Sequence, residues 1–225
     1  MFSRIIRSEV QTCQAKHCRP SQRRPHLGYN VAIMPIGFLF DMDGTLTAPM
    51  LDFPRIKAEM GIGDRPILEA MEEMPPQRRI EANAVLLRHE QQAAERSILN
   101  PGCRELLDWI DNRGWLTALI TRNSRLSAQT VLERHGLSFH TLVTREDSKY
   151  KPDPAPLRCA CERLKVNIAE AWMIGDGQYD IEAGVAAGCR TVWVSHGRQK
   201  HFAAEPWRTV SDLHVLASLL KEHYP

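Results

Sequence analysis

No Cys-x-x-Cys pair occurs in this chain, and its six cysteines are scattered at 13, 18, 103, 159, 161 and 189. That pattern argues against a disulfide framework and for reduced thiols in a cytoplasmic enzyme. Cys13, His17 and Cys18 are three possible zinc ligands, but no second pair closes the site. No apolar run is long enough to cross a membrane, and there is no internal repeat or low-complexity tract. Net charge is nearly absent too, at +2, but it is unevenly spread. Residues 1–33 hold Arg4, Arg7, Lys16, Arg19, Arg23 and Arg24 against the single acid Glu9, a balance of +5 that leaves −3 for the rest. The body therefore lacks the basic bias of a nucleic-acid binder. What is present is ordinary for a globular protein: 43% apolar and 25% charged residues. A length of 225 residues suits one domain with an insertion, or two small domains.

The segment 1–33 reads as a basic tail without fixed structure, lying ahead of a start at Met34 directly before the first core strand. Two other readings compete. Phe2, Ile5, Ile6 and Val10 recur at helical spacing among arginines, as in an organelle-import peptide. A basic arm could also bind a polyanion or a membrane surface.

Five apolar segments read as strands, at 36–40, 115–120, 139–143, 171–174 and 191–194. Helical patterns separate the later ones at 102–112, 124–135, 154–165 and 180–188. Alternating strands and helices predict a parallel, doubly wound α/β sheet. The interval from 48 to 98 is too long for one crossover and reads as wholly helical. Leu51–Met60 is one pattern and Pro66–Met74 a second. Pro75-Pro76 then opens a long helix with Ile80, Ala84, Leu87 and Ala94 along one face.

The first strand ends Phe40-Asp41-Met42-Asp43-Gly44-Thr45. Residues i and i+2 of an extended chain point to the same side, so both carboxylates can face one pocket at the carboxyl edge of the sheet. One can attack phosphorus while the other handles a proton, and a divalent cation would relieve their repulsion. An Asp-Gly turn with two solvated acids has the same signature. The second strand ends Thr121-Arg122-Asn123-Ser124, a hydroxyl before a helix N-terminus, which suits a phosphate or a plain cap. Lys151, followed by Pro152, offers a positive charge, or is a solvated turn lysine; Lys149 competes for the role. The fourth strand ends Gly175-Asp176-Gly177, with Asp180 near the next helix start, where an acid also suits the helix dipole. With Asp41 and Asp43 these acids make an oxygen-only set that suits Mg²⁺.

Asp-x-Asp-Gly-Thr, a strand-end Thr, Lys-Pro and Gly-Asp-x-x-x-Asp, in this order after successive strands, resemble the haloacid dehalogenase superfamily. The likeness spans 36–195 and is to the phosphatase branch typified by phosphoglycolate phosphatases. It implies a Rossmann-like core of strand order 5-4-1-2-3, formed by 34–47 and 99–225, with a small helical cap at 48–98. It implies that Asp41 is the nucleophile and Asp43 the general acid and base, while Thr121 and Lys151 hold the phosphoryl group. Mg²⁺ would be bound by Asp41, the Asp43 carbonyl and Asp176. Gly44, Thr45, Arg122, Asn123 and Asp180 complete the phosphate-binding or orienting set. The implied activity is hydrolysis of a small phosphorylated metabolite through an aspartyl-phosphate. A phosphomutase of the β-phosphoglucomutase type and a catalytically silent binding domain are the alternatives. The carboxylate at Asp43 separates the chain from the dehalogenases. Arg55, Lys57, Arg78, Arg79 and Arg88 could greet an anionic substrate or form a solvated helix face. Neither nucleic acid nor membrane is expected as a partner, and nothing in the pattern chooses between monomer and homodimer.

Overall fold

The computed structural model describes residues 36–225, so the readings of the tail at 1–33 and of Met34 lie outside the described residues. Among the described residues six parallel strands form one sheet: β1 (Gly37–Phe40), β2 (Leu116–Ile120), β3 (Thr141–Val143), β4 (Ala171–Gly175), β5 (Arg190–Val194) and β6 (Arg208–Val210). Their order is β3-β2-β1-β4-β5-β6, one strand more than expected. The missed edge strand is three residues long with Arg208 and Thr209 exposed, so it carries no apolar run to read.

Alternation along the strands divides the core in two. Phe38 and Phe40 of β1, with Leu119, Trp172 and Ile174, pack under α4 (Cys103–Asn112), α5 (Arg125–His135) and α8 (Leu213–His223). Leu39, Ala118, Ile120 and Met173 point the other way, under α6 (Ala155–Leu164) and α7 (Gln178–Ala187). Helices on both faces leave the strands continuously apolar, which is why they read as short buried runs. Several helix ends are written in the sequence. Ser124 accepts a hydrogen bond from the Ser127 amide at the start of α5, and Gly136 takes the left-handed conformation at its end.

Between β1 and α4 lie α1 (Phe53–Met60), α2 (Ile67–Glu72) and α3 (Pro76–Arg96). They enclose a cluster of their own, with Ile56, Met60, Leu68, Met71 and Leu86 at its centre. The buried stripe of α3 is Ala82, Leu86, Glu90 and Ala94. This corrects the expected face, since Ile80 and Ala84 are exposed and Leu87 is half-buried. The physical reason is Glu90: a charged residue at a buried position breaks the apolar periodicity that marks the packed side.

The chain leaves and re-enters at one place. Thr47 bridges Leu99 in antiparallel fashion, the Ala48 amide donates to the Ile98 carbonyl at 2.9 Å, and the Asn100 amide donates to the Leu46 carbonyl at 2.8 Å.

Candidate active site

Three neighbouring strands end at the same edge, and the residues that follow them converge. Asp41 follows β1, and its amide still donates to the Ile174 carbonyl of β4 at 2.9 Å. Thr121 follows β2 and Asp176 follows β4. Lys151, on the loop between β3 and α6, is 1% exposed. Its ammonium meets the Asp41 carboxylate at 2.6 Å, Asp180 at 2.7 Å and the Ile120 carbonyl at 2.7 Å. Three acceptors match the three donors of a lysine. Burial works against its charge, but the Asp180 and Asp41 carboxylates prevail and hold its pKa above the ordinary value. Lys149, the competing lysine, is exposed and pairs with Asp153.

Burial raises the Asp41 carboxyl well above the usual range; Lys151 opposes this, and Asp180 and Asp176 add to it. Burial also raises Asp176, against the hydrogen bond from Arg198. Oxygens of Asp41, Asp176 and Asp180 lie within 4.8 Å of one another. This all-carboxylate donor set fits a hard divalent cation, which would offset the repulsion that Lys151 and Arg198 offset in part. Gly44 keeps the space beside it, because a Cβ there would stand 2.4 Å from the Asp176 carboxylate, and its φ of +85° suits glycine. Asp180 is the third residue of α7 and accepts the Gly177 amide at 3.0 Å; that helix starts two residues earlier than expected.

Asp43 faces a different set of partners. Its carboxylate accepts from the Asn123 side-chain amide at 2.5 Å and from the Thr47 hydroxyl at 3.4 Å. Burial pushes it up to about 6; the Asn123 bond opposes that shift and the Glu90 charge reinforces it. Thr121 is buried, and its hydroxyl accepts the Asn123 amide at 3.1 Å. The amides of Gly44 and Thr45 donate to the Thr47 and Met42 carbonyls, while the buried Thr45 hydroxyl has no partner among the described residues.

The Arg122 guanidinium is turned to the helical insertion. It grips both carboxylate oxygens of Glu69 at 2.9 Å, donates to the Lys151 carbonyl, and lies between the rings of Tyr150 and Tyr179 at 4.6 and 4.3 Å. Sequence reasoning missed several neighbours. Arg198 donates to Asp176 at 2.9 Å, and His196 donates to the Gly44 carbonyl at 2.6 Å from a backbone φ of 51°. Glu90, 2% exposed, accepts the Ser124 amide at 3.0 Å and pairs with Arg145. The one signal for Arg198 is its place just past a strand end; Glu90 had none. Asp41, Asp43, Thr121, Lys151, Asp176 and Asp180, with Arg122, Arg198 and Glu90, border a cavity of about 550 Å³, within the size range of small-molecule sites.

The model of the haloacid dehalogenase-like hydrolases matches residues 54–194 of this sequence. A haloacid dehalogenase-like hydrolase domain-containing protein of Arabidopsis thaliana is 33% identical over 169 residues, covering 69% of each chain. The chain belongs to the haloacid dehalogenase superfamily. Within it the phosphoglycolate phosphatase of Chromobacterium violaceum is 27% identical over 212 residues, covering 81% of this chain and 95% of its own. The fold is shared with a hydrolase from Pseudomonas syringae, at a TM-score of 0.72 and 22% identity, covering 83% of this chain and 98% of that one. This haloacid dehalogenase-superfamily member is a phosphohydrolase of the phosphatase branch. The matched stretch begins after Asp41 and Asp43, so those two residues stand on the geometry above.

Proposed function

We propose that this phosphohydrolase cleaves small phosphomonoesters through an aspartyl-phosphate at Asp41, with Mg²⁺ as cofactor. The observation that carries the reading is the Asp41 carboxylate at the strand edge, held by Lys151 beside two further acids, with Asp43 two residues on. The Asp41 oxygen attacks phosphorus as the ester oxygen leaves. Asp43, protonated, delivers its proton to that oxygen. As a carboxylate it then takes a proton from the water that attacks the phosphoryl group, and Asp41 is released. In this reading Lys151, Thr121 and Asn123 hold phosphoryl oxygens, and Asp180, 2.7 Å from the Lys151 ammonium, keeps it aligned. Mg²⁺, bound by Asp41, Asp176 and the Asp43 carbonyl, would neutralise charge on the phosphoryl group. Residues 48–98 act as the cap over a core whose described part runs over 36–47 and 99–225.

Phosphate release from p-nitrophenyl phosphate tests this. Chelation should abolish it, Mg²⁺ should restore it, and Asp41→Asn should lower turnover by on the order of 10³ or more while the fold survives. Near-normal turnover by Asp41→Asn, or full activity in excess chelator, overturns the mechanism.

A further inference from the structure

The cavity has two unlike walls. The sheet edge supplies carboxylates, Lys151, Thr121 and Asn123, while the opposite side is built from Leu51, Phe53, Ile67, Leu68 and Leu86. Two charged side chains of the insertion also reach the cavity, and both are engaged. Glu90 is held by the Ser124 amide and Arg145, and Lys57 donates to the Asp64 carbonyl at 2.9 Å. The other cations expected to greet an anion are engaged within the insertion: Arg55 and Arg88 with Glu59, Arg78 with the Met60 carbonyl, and Arg79 with the Met71 carbonyl. We infer that the organic part of the substrate is an apolar alcohol rather than a polyol or sugar. This rests on the phosphohydrolase reading, since the phosphoryl group anchors at the sheet edge and points its ester oxygen at the apolar wall. A hydroxyl moved from water against the Leu51, Phe53, Ile67, Leu68 and Leu86 side chains would find no matching donor or acceptor among them. At the mouth, Gln178 and Lys200 are exposed, so a polar far end is tolerated.

The test compares n-hexyl phosphate with sorbitol 6-phosphate. The hydroxyls of sorbitol make its leaving group intrinsically better, so the comparison is biased against the inference. The expected kcat/KM ratio favours hexyl phosphate by about tenfold or more. Phe53→Asn and Leu51→Asn, at an exposed and a half-buried position, should narrow it. A ratio at or below one overturns the inference. Calorimetric binding of both esters to Asp41→Asn separates the two levels. Preferential binding of hexyl phosphate with no turnover by the native protein would sink the hydrolysis reading and keep the inference; binding of neither would overturn the inference.

Away from that wall, Glu90 and Arg145 form an ion pair whose side chains are 2% and 9% exposed. A buried pair of this kind adds little stability by itself. Its geometric effect is on the loop after β2: Glu90 accepts the Ser124 amide, and Arg145 donates to the Arg122 carbonyl at 3.1 Å. Between those two anchors sits Asn123, whose side chain holds Asp43. The geometry points to Glu90 as a positioning residue for Asp43. Glu90→Leu should then lower kcat about 10- to 100-fold for an alkyl phosphate, whose leaving oxygen needs a proton. For 2,4-dinitrophenyl phosphate, which needs none, the loss should stay under about threefold, with KM little changed. Glu90→Gln, which keeps an acceptor for Ser124, should recover most of the rate. The double variant Glu90→Leu, Arg145→Leu leaves no unpaired charge and should show the same split if the single variant folds poorly. Equal losses for both esters overturn the positioning role. If Asp43→Asn shows no such split, the acid reading beneath it falls as well.

Discussion

Asp43 ties a chemical role to a cost in stability. Its ordinary value is 3.8, and burial in the folded protein pushes it to about 6. The folded state therefore keeps a proton that the unfolded chain releases between about pH 4 and pH 6, and stability falls as pH rises through that window. Asp43→Asn removes this dependence. In chelator at pH 7.5 the variant should be the more stable protein by about 1–3 kcal/mol, at roughly 1.4 kcal/mol per pKa unit. The advantage should shrink toward pH 4.5. Denaturant titrations at both pH values check this, and a variant less stable at both would show that burial is not the main cause. Gly44 makes a second case at this scale. Gly44→Ala meets a positive φ and the Asp176 carboxylate together. It should cost about 1 kcal/mol from the backbone alone and lose most activity, because Asp176 has to move.

Among the elements, α3 gives the sharpest test of which face is packed. Leu86 is 4% exposed and Ile80 is 64% exposed. Leu86→Ala should destabilise by about 2–5 kcal/mol, whereas Ile80→Ala should stay within about 0.5 kcal/mol. Reversed effects in urea titrations would restore the face expected from the sequence. That expectation failed because Glu90 answers to Arg145 and Ser124, partners 55 and 34 residues away, which no local period reveals. The strands behaved otherwise. Phe38–Phe40 and Ala118–Ile120 are buried on both faces, so they stand out as apolar runs, and the polar residues that stop them are the site residues themselves. Asp41, Thr121 and Asp176 were legible as candidates for that reason, whereas Asp43, Lys151 and Asp180 lie farther past their strand ends and were read from the Asp-x-Asp spacing, the following Pro152 and the helix start. Arg198, His196 and Glu69 act across the fold from exposed loops or a helix surface, and their local sequence has no distinguishing pattern.

Over the whole molecule, the sheet brings together charges as distant as Asp41 and Lys151, 110 positions apart. Folding in the absence of metal must therefore bear the mutual repulsion of Asp41, Asp176 and Asp180. Mg²⁺ should raise the melting temperature, with about 2.7 kcal/mol gained at a hundred times its Kd. Asp176→Asn should melt higher than the native protein in chelator and lose most of the Mg²⁺ response. Scanning calorimetry with and without the ion checks both, and an unchanged response would move the ion elsewhere.

The antiparallel bridge at Thr47 and Leu99 makes the whole helical insertion, in topological terms, the loop of a hairpin. The ordering cost of closing a loop grows only logarithmically, by about 0.6 kcal/mol for each doubling of its length. The sheet beneath is thus nearly indifferent to how many residues are threaded through that stem. Inserts of different length can be spliced between Thr47 and Leu99 at little entropic cost, provided they keep the Glu90 contact to the Ser124 amide and the Glu69 contact to Arg122 that tie the insertion to the sheet edge.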